Sequence, residues 1–325
     1  MQAFKYANPA TLAEAAALLG PRWGQADVLA GGTDLLSLMK DDLHTPQRLV
    51  NIKNIKELDG ISHSAGGLRI GALVTLDELA RHPAVRASYR SLADAAAGVT
   101  SPQIRHMGTV GGDLCQRPRC WYYRQGFGLL AMKDGKSLVP NGENKYHAIF
   151  GTAPAYFVSA SSLGPALVAL GAKVKLVSAK GSREVPVKEF FVVPKDESTR
   201  EIALRPDEIL TEVLVPAGAT HSATYEVRQR EALDWPLAAA AVALTMKGDT
   251  VAQARIVLGH VAPIPWEAPA AEKALAGKTV TAASAEAAGK AAVEGAQPLS
   301  QNAYKVQLVK VSVKRALLEA VNAKG

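Results

Sequence analysis

The segments LAGGTDLL (residues 29–36) and TVGGDL (residues 109–114) share one design, in which apolar residues lead into two glycines, a short polar side chain and then leucine. Paired glycines lack Cβ atoms, so consecutive backbone N–H groups can approach and hold a pyrophosphate. A single glycine pair is more typical of a tight turn with positive φ. Two similar turns about 80 residues apart therefore favour a shared phosphate-binding role.

Local patterns around these turns predict a mixed α and β structure. Thr11 with Glu14 and Thr75 with Glu78 form capping boxes that mark helix starts. Apolar periodicity extends the first of these helices over residues 11–19 and predicts further helices over residues 34–40, 85–98, 163–170 and 302–321. It predicts strands over residues 27–30, 48–52, 68–72, 155–159, 173–178, 183–187 and 208–215. The first glycine turn thus joins a strand to a helix.

Composition narrows the class of protein. With 325 residues, 48% of them hydrophobic, the chain can bury a substantial core without a disulfide framework, since it has only two cysteines. We expect no membrane insertion, because no apolar run approaches the ~20 residues that cross a bilayer. The first residues lack the pattern of a signal peptide, so a cytoplasmic location is expected, with export through a partner's signal left open.

Several common functional motifs are absent from the sequence. There is no G-x-G-x-x-G, P-loop, G-x-S-x-G or H-E-x-x-H motif, and the seven histidines show no metal-ligand spacing. The stretch RPRCWYYR (residues 117–124) is basic and aromatic, but a loop that packs its rings on a neighbouring segment is favoured over binding to nucleic acid. The net charge of +7 is compatible with a phosphate-bearing ligand or an acidic partner.

Six segments, taken in order, give the chain a family resemblance. They are MQAFKYANPATLAEAAALL, LAGGTDLL, LRIGALVTLDELA, TSPQIRHMGTVGGDL, SASSLGPALVALGA and RIVLGHVAPIPW. Together they resemble the FAD-binding medium subunit of the molybdenum hydroxylases, the family of xanthine dehydrogenase, aldehyde oxidoreductase and carbon monoxide dehydrogenase. The resemblance implies an α+β fold with a two-subdomain FAD-binding domain over residues 1–219, divided near residue 55. A C-terminal lobe of three antiparallel strands and helices follows over residues 220–325, with Pro216-Ala217-Gly218 at the boundary.

The resemblance also implies an assembly and a set of site residues. A large subunit would carry molybdopterin, a small subunit two 2Fe–2S clusters, and this chain FAD; a dimer of such heterotrimers is compatible with the family. The implied FAD-binding residues are Leu29, Ala30, Gly31, Gly32, Thr33, Asp34, Leu35, Thr100, Ser101, Gln103, Thr109, Gly111, Gly112, Asp113, Ser161 and Ser162. No residue is assigned a catalytic or metal-binding role.

Two positions depart from the family pattern. Some relatives have aspartate at Ser162, where it contacts ribose or adenine, so Ser161 and Ser162 would have to replace that contact. Many have lysine at Glu226, and a carboxylate beside the flavin would oppose formation of its reduced anion. Either Glu226 points away from the flavin or flavin reduction is less favourable in this chain.

Residues 115–150 form a long stretch with little periodicity. Its borders, LCQRPRCWYY and GENKYHAIF, resemble those of an insertion that holds a 4Fe–4S cluster in some relatives, and such a cluster ordinarily needs four cysteine thiolates. Cys120 matches the first ligand position and Cys115 is the other cysteine, whereas Leu129, Ser137 and Asn141 supply no thiol. We therefore predict a loop that persists without a cluster.

Two other functions stay open on sequence grounds. A free-standing flavoenzyme of the same fold would need its own acid, base or nucleophile, and a non-enzymatic nucleotide-binding module would bind no flavin. The hydroxylated substrate, the electron acceptor and the higher oligomeric state do not follow from the sequence of this chain.

Overall fold

The structure is a computed structural model that describes residues 1–99, 101–151, 153–218, 221–230 and 234–322. Its strands are β1 (Lys5–Ala7), β2 (Asp27–Leu29), β3 (Arg48–Asn51), β4 (Ile61–Ser64), β5 (Gly67–Gly71), β6 (Met132–Lys133), β7 (Lys136–Ser137), β8 (Lys173–Ser178), β9 (Gly181–Pro186), β10 (Ile209–Pro216), β11 (His221–Val227), β12 (Ala238–Lys247), β13 (Thr250–Gly259) and β14 (Trp266–Glu267). Its helices are α1 (Leu12–Ala17), α2 (Leu35–Lys40), α3 (Leu76–Arg81), α4 (Pro83–Ser88), α5 (Arg90–Gly98), α6 (Pro102–Met107), α7 (Val110–Cys115), α8 (Trp121–Arg124), α9 (Leu163–Ala169), α10 (Val187–Phe190), α11 (Pro269–Leu275), α12 (Ala282–Ala291) and α13 (Tyr304–Asn322).

Two sheets of different type build the first two thirds of the chain. Strands β1, β3 and β2 lie side by side in that order and all run parallel. The second sheet has the order β4-β5-β10-β8-β9, and every neighbouring pair in it is antiparallel. Helices α5 and α9 bury alanine and leucine against the second sheet in one apolar core. The turn after β2 therefore lies at the carboxyl end of a parallel strand.

The C-terminal lobe confirms the predicted antiparallel sheet with helices. Its three long strands β11, β12 and β13 pair in sequence order, and the two-residue strand β14 adds a fourth member at the β13 edge. Strand β12 is buried along most of its length, and helices α12 and α13 contribute apolar faces to the same core. No helix among the described residues combines the length and apolar character needed to cross a bilayer.

The sequence predicted helix starts correctly where residues close together in the chain determine them. Both predicted capping boxes form, with Thr11 accepting from the Glu14 amide and Thr75 from the Glu78 amide, each at 3.2 Å. The predicted helix over residues 85–98 was wrong in its continuity, because the chain breaks at Tyr89, whose side chain is 2% exposed in the core. The predicted strand over residues 155–159 was also wrong, since that segment pairs with no strand in the described structure.

Candidate functional site

The first glycine turn leaves a row of backbone amides without partners. Within the described structure, the N–H groups of residues 31–35 donate no hydrogen bond, and the first helical bond of α2 runs from Leu36 N to Gly32 O at 3.2 Å. Gly32 has φ +75°, a left-handed conformation that other residues adopt only with strain. Unpartnered N–H groups in succession form a concavity that binds anions.

The second glycine turn begins α7 and rests on the segment that follows β5. Thr109 caps α7 by accepting from the Gly112 amide at 3.1 Å, while the amides of Val110 and Gly111 donate to Val74 and Ala72, both at 2.9 Å. A Cβ atom at Gly111 would lie 2.9 Å from the Cβ of Ala72, so close packing requires glycine there. Gly112 is exposed and faces away from this packing.

The two glycine turns meet in the folded chain. A Cβ atom at Gly31 would overlap the carbonyl oxygen of Met107, two residues before Thr109. Both turns line one cleft of about 160 Å³, which we call the glycine cleft. Its lining includes residues 30–35 of the first turn and Thr109, Gly111 and Gly112 of the second. Whole small-molecule sites commonly span ~300–1,000 Å³, so this cleft is too small for a whole dinucleotide but has room for a phosphate group.

The long loop supplies the partners of Asp34. The Asp34 carboxylate accepts from the Arg117 amide at 2.8 Å and from Nη2 of Arg124 at 2.9 Å, and it forms an ion pair with Nη1 of Arg119 at 2.7 Å. Its side chain is 14% exposed. Asp34 therefore ties the first turn to the loop and has its charge compensated by arginine; the sequence patterns gave no sign of this role.

Asp113 joins the second turn to Ser161 and Ser162. Its carboxylate accepts from the Ser161 hydroxyl at 2.5 Å and from the amides of Ser162 and Leu163 at 3.3 and 3.1 Å. Burial raises the pKa of Asp113 to about 6, although these hydrogen bonds and the charge of Arg119 oppose the rise. The three residues implied by the resemblance thus lie together, behind the cleft rather than along it.

The remaining implied residues divide into three groups. Leu29 is buried under the first turn, where its side chain contacts Gly32. Ser101 caps α6 by accepting from the Ile104 amide at 3.2 Å, and Gln103 is exposed on the same helix. Neither Ser101 nor Gln103 lines the glycine cleft, and Thr100 lies outside the described residues.

The structure adds two cleft residues, Arg117 and Arg200, that the sequence patterns did not reveal. The Nε atom of Arg117 lies 2.6 Å from Oε1 of Glu201, in an ion pair whose atoms are not aligned as a hydrogen bond. Arg200 stacks on Trp23 at 4.0 Å, and its Nε is buried without a hydrogen-bond partner in the described part of the chain. Burial, with the charge of Arg117, lowers the pKa of Arg200. An anion in the cleft would satisfy this orphaned donor.

Glu226 lies on β11 away from the glycine cleft. It pairs with Arg228, which also donates to the carbonyl oxygen of Gly98 at the end of α5. Burial raises the pKa of Glu226 to about 7. The carboxylate therefore belongs to the contact between α5 and the C-terminal lobe, and it does not line the glycine cleft.

The two cysteines of the long loop face different spaces. Cys115 lines the glycine cleft, whereas Cys120 packs beside buried apolar residues that include Tyr123, Leu129 and Phe157. The aromatic stretch packs on its neighbours as predicted, since Trp121 contacts Tyr146 edge to face at 5.6 Å. Among the described residues, no group of three or more histidine, cysteine, aspartate or glutamate side chains is arranged to hold a metal ion.

Comparison with known protein families identifies the class of protein to which this chain belongs. A family described as the FAD binding domain in molybdopterin dehydrogenase matches residues 2–218, and the CO dehydrogenase flavoprotein C-terminal domain matches residues 223–320. The chain therefore belongs to the FAD-binding medium subunits of the molybdenum hydroxylases and is an oxidoreductase component. The glycine turns and the orphaned donor in the cleft fit the diphosphate of FAD.

Individual relatives cover nearly the whole chain. The aldehyde oxidoreductase FAD-binding subunit PaoB of Escherichia coli is 32% identical over 98% of this chain and 99% of its own length. The carbon monoxide dehydrogenase medium chain of Hydrogenophaga pseudoflava is 32% identical over 97% and 96%. Among solved structures, quinoline 2-oxidoreductase from Pseudomonas putida 86 superposes with a TM-score of 0.77 at 28% identity, covering 99% of this chain and 98% of that one.

Proposed function

We propose that this chain binds FAD across its two glycine turns and serves as the electron-transfer subunit of a heterotrimeric molybdenum hydroxylase. FAD, when bound, would supply the redox chemistry by which electrons from 2Fe–2S clusters of a partner reach an external acceptor. The observation that carries the proposal is the meeting of two glycine turns at one cleft, with the amides of residues 31–35 unpartnered.

The residues of the chain divide the work of binding. The unpartnered amides of residues 31–35 would hold the diphosphate, because amide donors compensate negative charge. Gly112 is exposed and has no side chain, so it would let the diphosphate approach the second turn closely. Arg200 would add a charge-assisted hydrogen bond from its orphaned Nε. Asp34 would position the first turn through Arg119 and Arg124, and Asp113 the second through Ser161.

We infer the assembly from the relatives. Medium chains of carbon monoxide dehydrogenase match nearly the whole chain, and their name supports a large partner and a small one. We place molybdopterin in the large subunit, the 2Fe–2S clusters in the small subunit and the complex in the cytoplasm. Residues 1–219 would form the FAD-binding domain and residues 220–325 a lobe that completes the medium subunit.

A glycine substitution tests the cofactor site. Replacing Gly112 by isoleucine places a branched side chain at the cleft, while its Cβ would meet Thr109 Oγ1 at 3.0 Å and no other described atom within contact range. We expect Gly112→Ile to purify folded with little or no bound FAD by its absorption spectrum. Gly66→Ile is the matched control, because Gly66 is also exposed and a Cβ there would meet only Ser64 Oγ, at an ordinary contact distance of 3.7 Å. Stoichiometric FAD in Gly112→Ile would contradict the site.

The subunit role and the missing cluster need a separate measurement. Affinity purification of the tagged chain from its native cell should recover a large molybdenum-containing and a small iron–sulfur subunit. The isolated chain should show flavin absorption with negligible iron, since at most Cys115 and Cys120 supply thiolates. A chain that purifies alone from native cells would favour a free-standing flavoenzyme, and about four irons per chain would overturn the prediction for the loop.

A further inference from the structure

A second cavity of about 390 Å³ lies between the long loop and the C-terminal lobe. We call it the loop cavity; Trp121 and His147 line it from the loop, and Trp235, His260 and Lys305 line it from the lobe. It shares no described lining residue with the glycine cleft. Its size falls within the range of small-molecule sites, ~300–1,000 Å³.

Lys305 places an amino group in the loop cavity, where no described residue provides a counter-ion. The residue is 1% exposed, and its Nζ donates to the carbonyl oxygens of Tyr146 and His260, each at 2.9 Å. No carboxylate of the described residues lies within ion-pair distance of it, and burial alone lowers its pKa to about 7. A buried ammonium that meets only neutral acceptors is costly unless a negative charge is brought to it.

Two buried imidazoles beside Lys305 also have unsatisfied nitrogens. His260 and His147 are each 3% exposed, and Nε2 of His260 and Nδ1 of His147 have no hydrogen-bond partner in the described structure. The other ring nitrogen of His147 lies 3.2 Å from the Cys120 sulfur. Each orphaned nitrogen can donate one hydrogen bond in the appropriate tautomer, so a ligand with several oxygen acceptors would satisfy the group.

Aromatic side chains line part of the remaining cavity wall, which also holds the Arg230–Asp234 ion pair. Trp121 packs edge to face on Tyr146 and His147, with ring centroids 5.6 and 5.5 Å apart. Trp235 lies under the guanidinium of Arg119 at 4.9 Å. Aromatic side chains present flat apolar surface to a planar ring. Among the described residues, the cavity thus combines a cation that has no carboxylate partner and orphaned donors with aromatic surfaces suited to a ring.

We propose that the loop cavity is a second ligand site that binds a small aromatic carboxylate. The carboxylate meets Lys305 and the imidazoles of His147 and His260, and the ring lies against Trp121 and Trp235. The site is separate from the glycine cleft, although Arg119 touches both, since it contacts Trp235 and also pairs with Asp34 at 2.7 Å. Ligand binding there would therefore act next to the first glycine turn.

Calorimetric titration of the FAD-loaded, full-length chain tests this site. We expect 2-naphthoate to bind saturably at one site per chain and at least about tenfold more tightly than its neutral analogue 2-naphthylmethanol, because only the acid offers a charge to Lys305. Lys305→Met should abolish that preference. Lys310→Met, on the same helix and outside the cavity, should keep it.

The comparison of acid and alcohol on the unaltered chain stands even where Lys305→Met fails to fold. Equal affinity for the two compounds would overturn the carboxylate assignment, and absence of saturable binding would overturn the site. Binding that occurs only without FAD would also overturn it, because the cavity would then belong to the flavin site. Each of these outcomes leaves the flavin content of the chain, and hence the proposed function, separately measurable.

Discussion

Replacing Asp34 by alanine removes the acceptor that joins the first glycine turn to the long loop. Loss of one member of a buried ion pair costs ~3–5 kcal/mol. We expect the cost for Asp34 to lie near the lower end of this range, because its side chain is 14% exposed. Its arginine partners also keep other acceptors, which are Gln116 for Arg119 and the Pro118 carbonyl for Arg124. We therefore expect Asp34→Ala to lower the free energy of unfolding by about 3 kcal/mol.

Urea denaturation of the flavin-free chain, followed by tryptophan fluorescence, measures this change. The matched control is Asp207→Ala, which breaks an ion pair with Lys180 whose lysine is 84% exposed and should cost no more than ~1 kcal/mol. Asp34→Ala should also weaken FAD binding, because the turn loses its anchor on the loop. A loss of stability equal to that of the Asp207 control would refute the role given to Asp34.

Three further changes test the fold around the site. Gly31→Ala should reduce FAD occupancy measured by absorbance, because the new Cβ overlaps the Met107 carbonyl oxygen, whereas Gly66→Ala should leave occupancy unchanged. Thr75→Ala removes the capping box of α3 and should lower the unfolding free energy by about 1 kcal/mol, as urea titration would show. Asp113→Asn tests the carboxyl whose pKa burial raises to about 6. The folded chain holds that proton more tightly than the unfolded chain, so the contribution of Asp113 to stability falls as pH rises from about 4 through 6. The stability of the variant relative to wild type should therefore increase over that interval and level off above it, and a flat difference would contradict the assignment.

The sequence predicted those parts of the fold whose causes are local. Capping boxes need only residues three positions apart, and Thr11 and Thr75 both form them. The break at Tyr89 has a different cause, because this ring is buried in a core assembled from distant strands and helices. Residues 155–159 have the apolar composition of a strand, yet in the described structure the Ser159 amide donates to Ala262 of the C-terminal lobe instead of a strand partner.

The candidate site also has parts that the sequence predicted and parts that only the folded structure reveals. The glycine pairs carry a repeated pattern, so the sequence favoured a shared role for them, and the structure places both at one cleft. Arg200 reaches that cleft from a segment with no motif, and the arginines on Asp34 lie more than 80 positions along the chain. The loop cavity also forms only through tertiary packing, since His147, His260 and Lys305 come from three separate segments of the chain. Local sequence patterns do not predict such groups of residues, because the groups form only when loops pack against the folded domain.

The structure of the flavin-loaded chain would test the proposed site at atomic level. We predict that the FAD diphosphate lies within hydrogen-bond distance of the amides of residues 31–35, beside Gly112 and the orphaned Nε of Arg200. A diphosphate bound elsewhere, with those amides still unpartnered, would contradict the assignment of the glycine turns.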